Sequence, residues 1–379
     1  MRFTHLKLQN WRNFLSADVP LQRRTFIVGP NASGKSNLLD GLRFLRDVAD
    51  VQRGFQQAVQ SRRGVSQIRS LHSRRYPNVM LEVQTEPTPT VPWRYLLEFT
   101  QDNNRRPIVR RELVQKAEHV LLDRPDAEDR ADPGRLSQTH LEQVNANKPF
   151  GELAEFFSQV RYLHIVPQLV REPDRSVGKT RDPYGGDFLE QVAGTQSKTL
   201  HARLRHIREA LRVAVPQLKE LKLERDRRGV PHLQGLYEHW RPRAGWQSED
   251  QFSDGTLRLL GLLWVFLDGS APLLLEEPEL SLHVAVVRHI PRMMARLGRR
   301  TGRQMIVSTQ SPDLLSDAGI APEEVLLLQP SKEDTLVRVA ANDLEIRMLL
   351  EKGASMAEAV FPRTAPQKAD QLVLFGDSE

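Results

Sequence analysis

Two clusters in this 379-residue chain have the residue types and spacing to handle a polyphosphate. The first is the run Gly29-Pro-Asn-Ala-Ser-Gly-Lys-Ser36. Its two glycines let the main chain curl so that N–H groups face an anion at the start of a helix. In that pattern Gly29, Asn31, Ala32, Ser33, Gly34 and Asn37 line the phosphates, Lys35 reaches the β and γ groups, and Ser36 ligates magnesium. The helix end adds about half a positive charge. The second cluster is Glu276-Glu277, which ends the apolar run Pro272-Leu-Leu-Leu275. Carboxylates at the C-terminal edge of a parallel sheet stand where α/β folds bind ligands. Glu276 is expected to hold Mg2+ through water, and Glu277 to orient or deprotonate an attacking water, because phosphoryl transfer rests on positioning and charge neutralisation. Without a phosphate loop, such an acidic turn is ordinary solvated surface. With one, the pair predicts ATP and Mg2+ as ligands.

These residues need a strand, a loop and a helix to hold them. Thr25-Phe-Ile-Val28 reads as a strand, and residues 36–48 place Leu38, Leu39, Leu42, Leu45 and Val48 at helical spacing. The glycine loop therefore opens directly into a helix. After residue 245, helices at 256–267 and 281–297 alternate with strands at 273–275 and 304–308, which implies a parallel sheet. Strands at 324–329 and 336–339 and a helix at 343–352 complete the pattern. The stretch between is less regular. Strands at 78–84, 93–100 and 108–114 look hairpin-linked, 161–166 reads as another strand, and 198–213 as an amphipathic helix. The polar segment 123–137 reads as an exposed loop or arm tip, and 171–186 as a charged loop. This middle region is expected to be an insertion, not a catalytic core.

Composition narrows the setting. The chain has no cysteine, which excludes disulfides and thiolate metal sites, and its 11 histidines show no metal-ligand spacing. The longest apolar stretch is interrupted by Arg258, Asp268, Gly269 and Pro272, and the N-terminus lacks a signal-peptide apolar core. A cytoplasmic protein without a membrane partner is expected. Formal charge is +6, and Arg53, Arg62, Arg63, Arg69, Arg74 and Arg75 fall in a stretch without acidic residues. That cluster either neutralises nucleic-acid phosphates or is a solvated face.

Four blocks in order carry a family resemblance: residues 29–37, Phe252-Ser-Asp-Gly-Thr256, Leu275-Glu-Glu-Pro-Glu-Leu-Ser-Leu-His283 and Ser308-Thr-Gln-Ser-Pro312. The chain resembles the ABC-type ATPases of the RecF, SMC and OLD group, in the compact branch of AAA-family ATPases. The resemblance covers about residues 1–48 and 245–330. It implies an α/β fold: an ABC-type P-loop ATPase head, a mixed sheet flanked by helices, with a large α+β insertion between the phosphate loop and the signature. Residues 1–50 and 246–340 would be the two parts of the head, 51–245 an inserted lobe or lid, and 341–379 a C-terminal helix and tail. In such proteins the signature, here Ser253, Asp254 and Gly255, caps the γ-phosphate held by a second copy, which implies a homodimer closed on ATP. Ser253 also reads simply as a helix N-cap. Arg12 resembles the family's early arginine near the nucleotide, and reads equally as an exposed hairpin arginine. Gln67 lies in the general region of the lobe-connecting glutamine. The usual magnesium-holding aspartate is Glu276 here, and the switch histidine is Gln310, which donates a hydrogen bond but carries no proton charge. Slow hydrolysis would follow. The resemblance points to DNA sensing or processing in repair or anti-phage defence. A nuclease of TOPRIM type would be a separate chain, since too few residues follow Gln310 to form one. A regulatory scaffold with little turnover is the alternative, and a transporter motor fits the long partly β insertion poorly. Finally, Gln371-Leu-Val-Leu-Phe375 resembles a sliding-clamp docking peptide, or is a terminal strand on its own domain.

Overall fold

The computed structural model describes residues 1–73, 76–86, 91–172, 182, 184–238 and 245–364. The tail motif 371–375 and Arg74 and Arg75 lie outside the described residues. Among the described residues, fifteen strands form three sheets. The first is antiparallel, in the order β2 (Phe14–Pro20), β1 (Arg2–Trp11), β4 (Val79–Glu86), β5 (Trp93–Gln101), β6 (Pro107–Lys116) and β7 (His119–Arg124). The second runs β15 (Thr335–Val339), β14 (Val325–Pro330), β3 (Arg24–Val28), β13 (Met305–Thr309), β12 (Leu273–Glu276) and β8 (Arg161–Leu163). Its strands are parallel except β15. A small third sheet joins β11 (Trp246–Ser248), β10 (Pro231–Tyr237) and β9 (Leu218–Arg225).

The second sheet is apolar on both faces, which is why its strands read as unbroken hydrophobic runs. Alternation assigns the faces. Ile27, Leu274, Ile306, Leu326 and Leu328 face the helix Lys35–Ala49 and the first sheet, in one core with Leu8, Leu38, Leu42, Leu45 and Leu81. Phe26, Val28, Leu273, Leu275, Met305, Val307 and Leu327 face the other way, onto Ile290, Met294 and Val360. The phosphate-loop helix is thus sandwiched between two sheets, and its start is fixed from both sides. A third core joins the helices Ser197–Ala214 and Asp254–Leu267 to β9 and β10.

Several expectations change. The 51–245 stretch contributes to the parallel sheet: β8 pairs with β12, Tyr162 opposite Leu274. Its strands β4 to β7 also extend the sheet begun by β1 and β2. The strand expected at 161–166 is β8, and its residues alone do not reveal which strand it joins. The predicted helix 281–297 is two helices, Val284–Val287 and Ile290–Thr301, because Pro291 suits a helix start and not an interior. The segment 123–137 is largely exposed, as expected, but it carries the short helix Ala127–Ala131 and turns two side chains inward: Arg124 is fully buried, 2.6 Å from Asp129 and 3.5 Å from Glu112. These two charges read as solvated, yet they satisfy one another in the interior. Arg62 likewise leaves the expected phosphate-binding cluster, since it is buried against Asp40 and Asp47. No helix among the described residues is long and apolar enough to cross a membrane.

Candidate nucleotide site

β3 is buried along its whole length and delivers the chain to Gly29 at the C-terminal edge of the parallel sheet. Glycine is required there by crowding: a Cβ at Gly29 would lie 2.6 Å from Ser33 Oγ and 2.9 Å from the Leu328 backbone oxygen. Gly34 needs its identity for two reasons. Its φ is 95°, a left-handed conformation, and a Cβ would stand 2.2 Å from Asn13 Nδ2. Asn13 buttresses the loop from outside, donating to Ser33 O (2.9 Å) and Thr335 Oγ1 (2.7 Å) and accepting from Asn37 Nδ2 (2.7 Å). The neighbouring Trp11 indole donates to Asn37 O at 2.9 Å. Asn13 was not singled out from sequence, although it adjoins Arg12.

Lys35, the first residue of the helix, is buried and donates to Gly29 O and Pro30 O, each at 3.0 Å. Burial pulls its ammonium below the ordinary lysine value, and the charges of Glu277, Glu279 and Glu276 oppose that. The next residue, Ser36, donates its hydroxyl hydrogen to Glu276 Oε1. Glu276 closes β12, and its second oxygen, Oε2, accepts from the Tyr162 hydroxyl on β8. Burial, with Glu276 beside it, pushes the Tyr162 phenol far above its usual range, so it stays a donor. Glu277 has a left-handed φ of 43°, donates its N–H to Ser308 O at 2.9 Å, and accepts from Gln310 Nε2. Glu279 is buried, and one oxygen accepts from Thr309 Oγ1 (2.5 Å) and Gln310 N (3.1 Å). Burial raises its carboxyl above the ordinary value. It belongs to a block quoted from the sequence but was assigned no role there.

Lys35, Ser36, Glu276, Glu277 and Gln310 therefore converge on one sheet edge. Arg12 stands one helical turn away, 3.7 Å from Asp40 and donating to Gln67 O at 2.9 Å. Beside it a cleft of about 460 Å³ is lined by Asn13, Ala32, Asn37, Gln67 and Thr335. Another cleft, of about 370 Å³, lies by Val160 and Gly269, at the opposite ends of β8 and β12, away from the phosphate loop. The signature residues are elsewhere. Ser253 caps the helix Asp254–Leu267 by accepting from Thr256 N at 3.1 Å, and Asp254 pairs with Arg171 at 2.6 Å. A Cβ on Gly255 would meet Ser281 O at 2.5 Å. Among the described residues, no hydrogen bond of these three reaches the 29–37 loop.

The donor set fits Mg2+ and a polyphosphate. Ser36 and Glu276 are hard oxygen ligands suited to magnesium, and the loop is a cradle that a Cβ would fill. Buried polar atoms without partners among the described residues cluster around it: Ser33 Oγ, Ser308 Oγ and Glu279 Oε2. Buried groups of this kind ordinarily have partners, so a ligand or water is expected to satisfy them.

Comparisons with known proteins agree with this architecture. The family described as "AAA domain, putative AbiEii toxin, Type IV TA system" matches residues 24–316. No curated protein matches the chain. A crystal structure of an SMC head bound to the C-terminal winged-helix domain of ScpA superposes with a TM-score of 0.53 at 13% identity, covering 89% of this chain and 98% of that one. An SMC head with an extended coiled coil, bound to the C-terminal domain of ScpA derived from Pyrococcus furiosus, gives 0.51 at 12% identity, covering 93% and 99%. At such identities the likeness is one of fold alone, that of an SMC head domain.

Proposed function

The chain belongs to this AAA-domain family, and from that premise we propose that it binds ATP with Mg2+ and hydrolyses it slowly. The observation that carries the reading is the convergence of Lys35, Ser36, Glu276 and Glu277 at one sheet edge. Bound Mg2+ would neutralise phosphate charge and fix the triphosphate. The residues of the chain do the rest. Loop N–H groups and Lys35 hold phosphate oxygens, Ser36 and Glu276 hold the metal, Arg12 and the cleft beside it receive the nucleoside, and Glu277 orients or deprotonates water.

Hydrolysis is slow in this reading because Gln310, which donates to the carboxylate of Glu277, brings no positive charge. That contact also favours a second reading, an ATP-gated scaffold whose output is partner binding. In either case Ser253, Asp254 and Gly255, which make no hydrogen bond to the 29–37 loop among the described residues, would complete the site of a second copy in a homodimer. Lys198, Arg205 and Arg212 lie exposed along one side of the helix Ser197–Ala214 without ion pairs among the described residues, which supports contact with DNA. DNA sensing in the cytoplasm, in repair or anti-phage defence, with a separately encoded nuclease or other effector, is the role we favour. Sizing of the Glu277→Gln variant tests the homodimer: a dimer should form with Mg·ATP and not without, and a monomer at saturating Mg·ATP contradicts it.

A further inference from the structure

The carboxylate of Glu276 has two partners, and the assigned chemistry uses only one. Ser36 belongs to the phosphate loop, whereas Tyr162 comes from β8, a strand that carries no recognised motif. Its placement follows from register. Tyr162 pairs with Leu274, and Glu276 lies two residues further along β12, on the same face of the sheet. A tyrosine is long enough to reach that diagonal neighbour, as shorter side chains are not.

The ring is itself held in place. Arg43 lies over it, 5.0 Å from guanidinium carbon to ring centroid. Arg43 in turn bonds Asp40 at 2.7 Å, and Asp40 is fixed by Arg62 at 2.8 Å. Both Asp40 and Arg43 stand on the helix that begins at Lys35, so the phenol is locked to the element that presents Ser36. A glutamate side chain has three rotatable bonds, and an unrestrained carboxylate would lose that freedom on meeting a cation.

We infer that Tyr162 is a positioning residue for Glu276: its hydroxyl holds Oε2 so that the carboxylate stands ready at the metal position beside Ser36. The inference rests on reading Glu276 as the metal-side carboxylate. Groups that orient a ligand from behind typically contribute 10- to 100-fold in metal affinity.

Tyr162→Phe tests this, because it removes the hydroxyl and keeps the ring under Arg43. ATP affinity is measured by calorimetry with Mg2+ and with EDTA, and Mn2+ affinity in the presence of ATP by electron paramagnetic resonance. The expected result is about a tenfold loss of Mn2+ affinity and of the Mg2+-dependent gain in ATP affinity, with affinity in EDTA held within about twofold. On a Glu276→Gln background the same change should have no further effect, since both would act through one group. An equal loss with and without metal, no loss at all, or full additivity with Glu276→Gln overturns the role. A wild-type protein that binds ATP without any metal-dependent gain overturns the reading of Glu276, and the role of Tyr162 with it.

Discussion

Replacing Gly34 with alanine should damage the phosphate loop through two separable effects. The first is conformational: at φ 95° an added Cβ costs about 1–2 kcal/mol. The second is steric and specific. The new methyl would stand 2.2 Å from Asn13 Nδ2 and 2.6 Å from its Cγ, so Asn13 has to withdraw. Withdrawal breaks its bonds to Ser33 O, Thr335 Oγ1 and Asn37, three interactions worth about 1 kcal/mol each. The total is about 4–5 kcal/mol at full withdrawal, less if Asn13 shifts only part way. Urea unfolding gives the stability change, and a fluorescent nucleotide gives the change in Mg·ATP affinity. In an Asn13→Ala background the steric part vanishes, so Gly34→Ala should then cost only the conformational 1–2 kcal/mol, roughly. Equal costs in both backgrounds would refute the buttress, and unchanged Mg·ATP affinity would refute the role of the loop.

Two further predictions concern residues around the site. Burial alone would raise the Asp40 carboxyl, but Arg62, Arg43 and Arg12 outweigh it and bring it down from 3.8 to about 2. A folded value below the unfolded one means stability that is complete above about pH 4 and lost as pH falls through 2. Asp40→Asn should therefore cost about 3–5 kcal/mol at pH 7, by leaving Arg62 and Arg43 short of a partner, and the gap to wild type should narrow by about 2 kcal/mol toward pH 2; a pH-independent gap in urea unfolding contradicts the ion pairs. Ser253→Ala removes an N-cap and should lower stability by about 1 kcal/mol. In the Glu277→Gln background it should also abolish Mg·ATP-dependent dimers, and a dimer that survives would leave Ser253 as a cap alone.

Much of the site was legible because it depends on contiguous chemistry. Gly29, Gly34, Lys35 and Ser36 lie within one loop, and Glu276 and Glu277 end a strand whose run of leucines is unmistakable. The inner strands of the parallel sheet, β14, β3, β13 and β12, were legible because they are buried on both faces. What escaped depends on distance in sequence. Tyr162 reaches Glu276 from a strand 114 positions away, and reading a strand at 161–166 does not reveal which strand it pairs with. Asn13 is one polar residue in a turn until Gly34 packs against it. The buried charges of Asp40, Arg62, Arg124 and Asp129 look like surface, because a sequence shows that a residue is charged but not that its partner is within 3 Å. The small sheet of β9, β10 and β11 was missed because β9 is half exposed and rich in Lys, Glu and Arg, and β11 is only three residues long.

The central claim is that Lys35 and the loop around it grip a triphosphate against the carboxylates of β12. Calorimetric titration of Mg·ATP into the wild type and into Lys35→Ala measures it most directly. Wild type should bind with a measurable Kd, and the variant should lose at least about 30-fold in affinity while unfolding at a similar urea concentration, since a buried charge paired with its ligand is worth about 2–5 kcal/mol. Equal affinity in the two proteins, or no binding by either, would contradict the account.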